Sequence, residues 1–252
     1  MKITKFHTGI ALTTSLLLAA LTGCGAANTA SSSASGSASS SVSASASSQS
    51  SKKHTSFFVK DNGDGTKVIK DIDGKEVTVP TTPERIADLW HANNQVVLLL
   101  GGAEKLVSTT STVKSLAWFK QVYPGIEKVD APVKGTDVNM EQLLADKPEV
   151  LLASSKEQIA KASEAGIPAV HVEFQNFADL KRTVELTAEV IGTDEAIERA
   201  EKYLAYLEKN ENLIKERLKD VTESPKVLHI AGGSDLTKVD GSNSLIGEWM
   251  KL

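Results

Sequence analysis

With 252 residues, 40% of them apolar, the chain can build one sizeable core and the start of another, and a net charge of only -4 gives no footing for nucleic acid. Its single cysteine, Cys24, excludes a disulfide framework and raises the question of why one thiol is kept.

The chain opens with an export signal. Lys2 and Lys5 supply a positive start, and residues 10–21 supply an apolar stretch of secretory length, too short for a spanning helix. Leu21-Thr22-Gly23-Cys24 follows at once and resembles the lipobox of bacterial lipoproteins, in which the cysteine is diacylated and becomes the new N-terminus. Residues 1–24 are thus expected to be signal peptide and lipobox, with Cys24 as the lipidation site. That places the protein outside the cytoplasm, anchored by lipid to the outer face of the cell membrane. Residues 25–56 are mostly Ser and Ala and read as a flexible tether, because such a composition cannot offset its ordering entropy by burial.

The folded part begins at residue 57. Val68 to Val79 reads as two strands joined at Asp73-Gly74, a hairpin dipeptide, and Pro80 and Pro83 end it. Asp61-Asn-Gly-Asp-Gly65 has a faint calcium-loop character but lacks the closing acid, so a turn is expected.

Strands then alternate with helices. Arg85 to Trp90 is read as a strand, followed by a helix capped by Asn93 or Asn94 and stopped at Gly101-Gly102. Leu106 to Thr110 is the second strand, and an irregular section carrying Trp118, Phe119 and Tyr123 follows. Asn139 caps a helix ending before Pro148, and Glu149 to Ala153 is the third strand. Ser154-Ser-Lys-Glu157 reads as a capping box for a helix stopping at Gly166, Pro168 to Glu173 as the fourth strand, and residues 177–191 as a helix ended by Gly192.

This alternation predicts a right-handed parallel α/β sheet after Pro83, within an N-terminal α/β lobe over residues 57–192, with ligands held beyond the strands' carboxyl ends, in the loops after Trp90, Thr110, Ala153 and Glu173. Residues 193–221 read as one long helix. Ile197, Ala200, Leu204, Leu207, Ile214 and Leu218 form an apolar stripe broken only by Glu211, and residues 194–219 would span roughly 39 Å at 1.5 Å per residue. That exceeds what one small lobe needs and suggests a spine between two lobes. Residues 222–252 read as the start of a second lobe: a strand at Lys226 to Ala231, then a helix whose Trp249 would lack a partner.

Several segments together resemble periplasmic binding proteins of the iron-siderophore and cobalamin group. They are Asp73-Gly-Lys-Glu-Val-Thr-Val-Pro80, Pro83-Glu-Arg-Ile-Ala87, Leu99-Leu-Gly-Gly102 with Leu106-Val107, Asn139-Met-Glu-Gln-Leu-Leu-Ala-Asp-Lys-Pro-Glu-Val150, Ala165-Gly-Ile-Pro168 and Gly241-Ser-Asn-Ser244. No one piece is specific; their order and spacing are. The resemblance implies a bilobed class III periplasmic-binding-protein fold, with α/β lobes joined by one long helix and the second lobe incomplete. It also implies a monomer that does no chemistry, captures a metal chelate in a shallow cleft and hands it to an ABC permease driven by a cytoplasmic ATPase. A ferric siderophore is the first expectation, with haem, a corrinoid or an oxyanion as other cargoes, and no cofactor is expected.

Trp90 and His91 are positioned to stack on a chelate and Asn93 to hydrogen-bond it; core packing and helix capping are the competing roles. Trp118, Phe119 and Tyr123 are read as walls of the cleft, with Glu173 a weaker candidate. By resemblance, Glu157 is the acid that docks on permease arginines, although its place in the capping box is an alternative role. His91, His171 and His229 invite a metal reading, opposed by the absence of short ligand spacing. A free zinc or manganese carrier is therefore the alternative function, and a non-functional fragment another. The sequence holds no Gly-rich phosphate loop and no nucleophile elbow that would indicate an enzyme.

Overall fold

The computed structural model describes residues 52–251 except 136, 224, 232 and 234. The export signal, Cys24 and residues 25–51 lie outside the described residues. Three strands, β1 (Phe58–Asp61), β2 (Thr66–Lys70) and β3 (Glu76–Pro80), form an antiparallel sheet in that order. Gly74 takes φ 85° in the β2–β3 turn, as a hairpin dipeptide requires. β1 was not anticipated. The loop after it is a turn closed by its own side chains: the Asp61 carboxylate accepts from the Gly63 N–H at 2.7 Å, and Asp64 from the Thr66 N–H at 3.0 Å.

Residues 52–56, which composition assigns to the tether, are held against the folded body. Lys52 Nζ donates to Thr82 Oγ1 at 3.0 Å, the Thr55 N–H to Glu189 at 2.8 Å, and Ser56 Oγ to Glu185 at 3.0 Å.

The main sheet has six strands in the order β7-β6-β5-β4-β8-β9, parallel except for the last pairing of β6 with β7. These are β4 (Ile86–Asp88), β5 (Leu106–Thr110), β6 (Asp130–Lys134), β7 (Asp137–Val138), β8 (Val150–Ala153) and β9 (Ala169–His171). Alternate residues divide between two buried faces. Ile86, Leu106, Val150, Leu152 and Val170 join one core, while Ala87, Leu89, Leu151, Ala153 and Ala169 join the other. The sequence pattern does not show β6, which Pro132 interrupts, or β7, which is only two residues long. β6 carries one extra residue where its register with β5 shifts, and the proline sits in that irregularity.

Helix α1 (His91–Leu99) links β4 to β5. The irregular section holds α2 (Ser111–Ser115) and α3 (Ala117–Val122); α4 (Met140–Ala145) leads to β8, and α5 (Lys156–Glu164) leads to β9. Asn139 caps α4 as expected, accepting from the Gln142 N–H at 3.1 Å. The cap of α5 falls one residue later than the sequence suggests: Ser155 accepts from the Gln158 N–H at 3.4 Å. Glu157 is therefore the second helical residue and cannot complete a box with Ser154; it pairs with Lys161 at 2.8 Å instead.

Helix α6 (Phe177–Ile191) ends at Gly192, whose φ of 72° closes it, and α7 (Asp194–Leu218) starts from a Thr193 cap. α7 is an unbroken helix of 25 residues, roughly 38 Å long. Only Ala196, Ile197 and Ala200 on it are fully buried. Glu211, the break in the apolar stripe, is paired with Lys181 of α6 at 3.0 Å.

Beyond α7 the expected strand at Lys226 to Ala231 does not form. The described residues there hold one isolated bridge, Ile230 to Val239, residues 226–231 are exposed, and among the described residues the pairing with 238–240 does not extend into a ladder. α8 (Leu245–Trp249) does form, and Trp249 has a partner after all: it meets Phe177 edge-on at 5.1 Å, while Glu248 accepts from the Phe177 N–H at 2.6 Å. Half of the indole remains exposed.

Candidate functional site

β4 is the strand from which the sheet order runs outward in both directions, to β5 on one side and β8 on the other, so a crevice is expected beyond its carboxyl end. A cavity of about 190 Å³ lies there. It is lined by Trp90 and His91 after β4, Thr110 to Thr112 after β5, Gly135 after β6, and Ser154 and Ser155 after β8. Five of its eleven lining residues bear hydroxyls, and α1 opens onto it with no side-chain cap and no acid in its first turn. On one rim Trp90 packs against Phe174, with ring centroids 4.8 Å apart. Such a pocket can hydrogen-bond a polar ligand and stack a planar one.

Beneath it lies a fully buried polar network. Asp88, the last residue of β4, accepts from the Trp90 N–H at 3.1 Å and from Asn93 Nδ2 at 3.0 Å. Burial pushes the Asp88 carboxyl well above the usual carboxylate range, and these two neutral hydrogen bonds offset only part of that. Asn93 accepts from Thr187 Oγ1 at 3.0 Å, and Asn94 accepts from Thr109 Oγ1 at 2.7 Å.

The structure separates the residues that the sequence proposes for the site. Trp90 and His91 line the pocket together. Trp118 lines a neighbouring apolar groove of about 700 Å³, with Leu99, Val122, Phe174 and Tyr203. Glu173 faces a separate polar hollow of about 400 Å³ with Asp73, Gln175 and Arg182.

Three of those residues do not face the cleft. Asn93 is completely buried and spends its amide on Asp88 and Thr187, so it neither caps α1 nor reaches a ligand. Phe119 is also completely buried, because α3 turns that side toward the core, and its ring stacks under Trp118 at 3.7 Å. Tyr123 sits at the opposite end of the sheet. It lines a hollow with Arg85, Asp130 and Asp146, which lie at or just before the amino ends of β4, β6 and β8, and its hydroxyl donates to Glu104 at 3.4 Å.

Of the histidines, His171 is buried with Nδ1 3.0 Å from Asp73 and Nε2 3.2 Å from the Ser154 carbonyl, tying the hairpin to the ends of β8 and β9. His229, read as lying within a strand, is in an exposed segment and faces Asp240. Among the described residues no three His, Cys, Asp or Glu side chains converge as a metal site would require. Glu157 is exposed, and its hydrogen bond and ion pair with Lys161 hold its carboxyl below the ordinary range.

Phe174, Thr112 and the two serines were not singled out from the sequence. The signal for them was positional, since each lies within a few residues of a strand's carboxyl end.

A parallel α/β lobe with an open polar pocket beyond its strand ends, running into one long helix, is the architecture of a class III solute-binding lobe. The chain belongs to the periplasmic binding protein family, whose model matches residues 86–252. It is 25% identical over 167 residues to the Bacillus subtilis uncharacterized ABC transporter substrate-binding lipoprotein YvrC, covering 64% of this chain and 48% of that protein. It is also 25% identical over 195 residues to the Haemophilus influenzae molybdate-binding protein MolA, covering 68% and 55% respectively. A crystal structure of a periplasmic solute binding protein from Veillonella parvula superposes with a TM-score of 0.58 at 26% identity, over 65% of this chain and 51% of that one. The chain thus spans about half the length of the curated relatives it matches.

Proposed function

We propose that this chain is the ligand-capturing part of a lipid-anchored substrate-binding protein of an ABC importer. Its cargo is a metal chelate, with a ferric siderophore as the first candidate, delivered to a membrane permease coupled to a cytoplasmic ATPase. The observation that carries this reading is the pocket beyond β4, β5 and β8, where Trp90, braced on Phe174 of the neighbouring groove, offers a stacking face beside hydrogen-bonding side chains. Cys24 supplies the anchor and Glu157, exposed on the first turn of α5, the docking acid for permease arginines.

One observation favours a second cargo. The pocket is small and carries five hydroxyl-bearing residues, with the uncapped N-terminus of α1 open to it, and this suits a tetrahedral oxyanion such as the molybdate named for the Haemophilus influenzae relative. Titrating the tryptophan fluorescence of the protein with ferric siderophores, haem, cobalamin, molybdate and Zn(II) separates these readings. Quenching by a ferric chelate supports the first, quenching by molybdate the second, and a response to micromolar Zn(II) alone overturns both.

A further inference from the structure

Of the pocket residues between Asp88 and Asn93, Trp90 has its backbone N–H and carbonyl both held by buried side chains. The Trp90 N–H is held by Asp88 Oδ1 at 3.1 Å, and its carbonyl by Asn94 Nδ2 at 3.0 Å. The same Asn94 amide donates to the Asp88 carbonyl at 2.9 Å, so one side chain spans the turn. Asp88 Oδ2 accepts from Asn93 Nδ2 at 3.0 Å, whose oxygen is in turn held by Thr187 of α6, and Asn94 is held by Thr109 of β5. Asp88, Asn93, Asn94, Thr109 and Thr187 are all completely buried.

Starting a helix needs none of this. The other helices that receive a side-chain cap here use one Ser, Thr or Asn at the N-cap, as Asn139 does for α4 and Thr193 for α7. At α1 the N-cap is Trp90, extended at φ -123° and ψ 114°, and it makes no cap of its own. A carboxyl buried without a cationic partner is costly, and an apolar residue would fill a strand end more cheaply. What the Asp88 carboxyl does there is hold the backbone of the one aromatic residue that lies in both the pocket wall and the pair with Phe174.

We propose that Asp88 is a positioning residue for the ligand pocket, fixing the Trp90–His91 turn from below through its hydrogen bonds to the Trp90 N–H and to Asn93. The assignment rests on the reading of that pocket as the ligand site. Its support extends to Thr187 and Thr109, so the turn is braced against both α6 and β5. Loss of the carboxyl frees the Trp90 N–H and leaves the Asn93 amide without an acceptor, while the amide of Asp88→Asn can restore both bonds if Asn93 rotates end for end.

The test compares Asp88→Asn, Asp88→Leu and Thr187→Val with the unaltered protein, using sodium molybdate and ferrioxamine as probes and amide hydrogen exchange as a readout free of ligand. Asp88→Leu should speed exchange at the Trp90 amide about tenfold, leave Leu151 in the sheet centre unchanged, and raise the Kd of whichever probe binds by about tenfold. Asp88→Asn should stay within about threefold of the unaltered protein in both, the rescue that an obligatory charge would not allow. Should Asp88→Leu fail to fold, Thr187→Val, which removes only the far brace, should still give a measurable rise in Trp90 exchange, about twofold to threefold. Unchanged Trp90 exchange in Asp88→Leu, or in Thr187→Val should Asp88→Leu fail to fold, overturns the proposal, as does an unchanged Kd of Asp88→Leu for a bound probe. If the unaltered protein binds neither probe, these two cargo assignments fail, while Trp90 exchange still decides whether Asp88 holds the turn.

Discussion

Asp88 and Glu189 are both carboxylates without solvent exposure, yet their surroundings drive them in opposite directions. Glu189, on α6, receives Lys67 Nζ and His54 Nδ1 at 3.0 Å each and the Thr55 N–H at 2.8 Å, and Lys67 also donates to its backbone carbonyl. Burial pushes its carboxyl up, but the Lys67 charge, the Thr55 N–H and His54 outweigh that and hold it below the ordinary range. Asp88, with two neutral donors and no cation, stays well above it. Burial alone does not set the sign; the charge of the partner does. The two regions also differ in task. The Glu189 cluster fastens residues 54 and 55 and β2 to the body, whereas the Asp88 network shapes the floor of a pocket.

The most disruptive way to probe this contrast is Lys67→Met, which leaves Glu189 buried without its main countercharge. It should cost about 3–5 kcal/mol in urea unfolding at neutral pH, and a loss below about 1 kcal/mol would show that Glu189 does not depend on the pair.

The next test uses pH, because the two groups respond with opposite signs. Glu189 is depressed in the folded state, so its stabilisation is present above about pH 4.3 and is lost as pH falls through its folded value. Asp88 is raised, so the folded state holds its full advantage below about pH 3.9 and loses it as pH rises through the folded value. Asp88→Asn should therefore gain on the unaltered protein as pH climbs from about 4 to 8, by about 1.4 kcal/mol for each unit of displacement. Parallel stability curves across that range would break the contrast. The smallest expected effect is that of His54→Ala. Its imidazole is partly exposed, and removing it should cost less than about 1 kcal/mol by thermal unfolding, since Lys67 and Thr55 remain on Glu189.

Much of the first lobe was legible from local pattern. The helix at residues 177–191 and the strand at residues 106–110 occupy the bounds read from the sequence, the helix being marked by its Asn176 cap and Gly192 stop. Of the four loops read as the site, those after Trp90, Thr110 and Ala153 line the pocket beyond β4, while Glu173 faces a separate hollow. Individual residues fared less evenly. Asn93 and Phe119 read as exposed ligands because side-chain type says nothing about which flank of a short helix meets the core, and Tyr123 was separated from the cleft by the length of a strand. Residues 226–231 have the composition of a strand but no strand beside them, and β6 was hidden by its proline.

By itself the sequence determined most of the turns, the caps of α4 and α7, and that strands alternate with helices in a parallel order. All of these are written in residues a few positions apart. Only the tertiary structure decided that a buried aspartate holds Trp90 from below, that Phe174 rather than Tyr123 completes the aromatic rim, and that residues 52–56 belong to the body. The first depends on Thr187 and Thr109, distant in the chain, meeting Asn93 and Asn94 in the interior, where an unpaired hydrogen-bonding group is costly; the other two depend on contacts between segments about 85 and 130 residues apart.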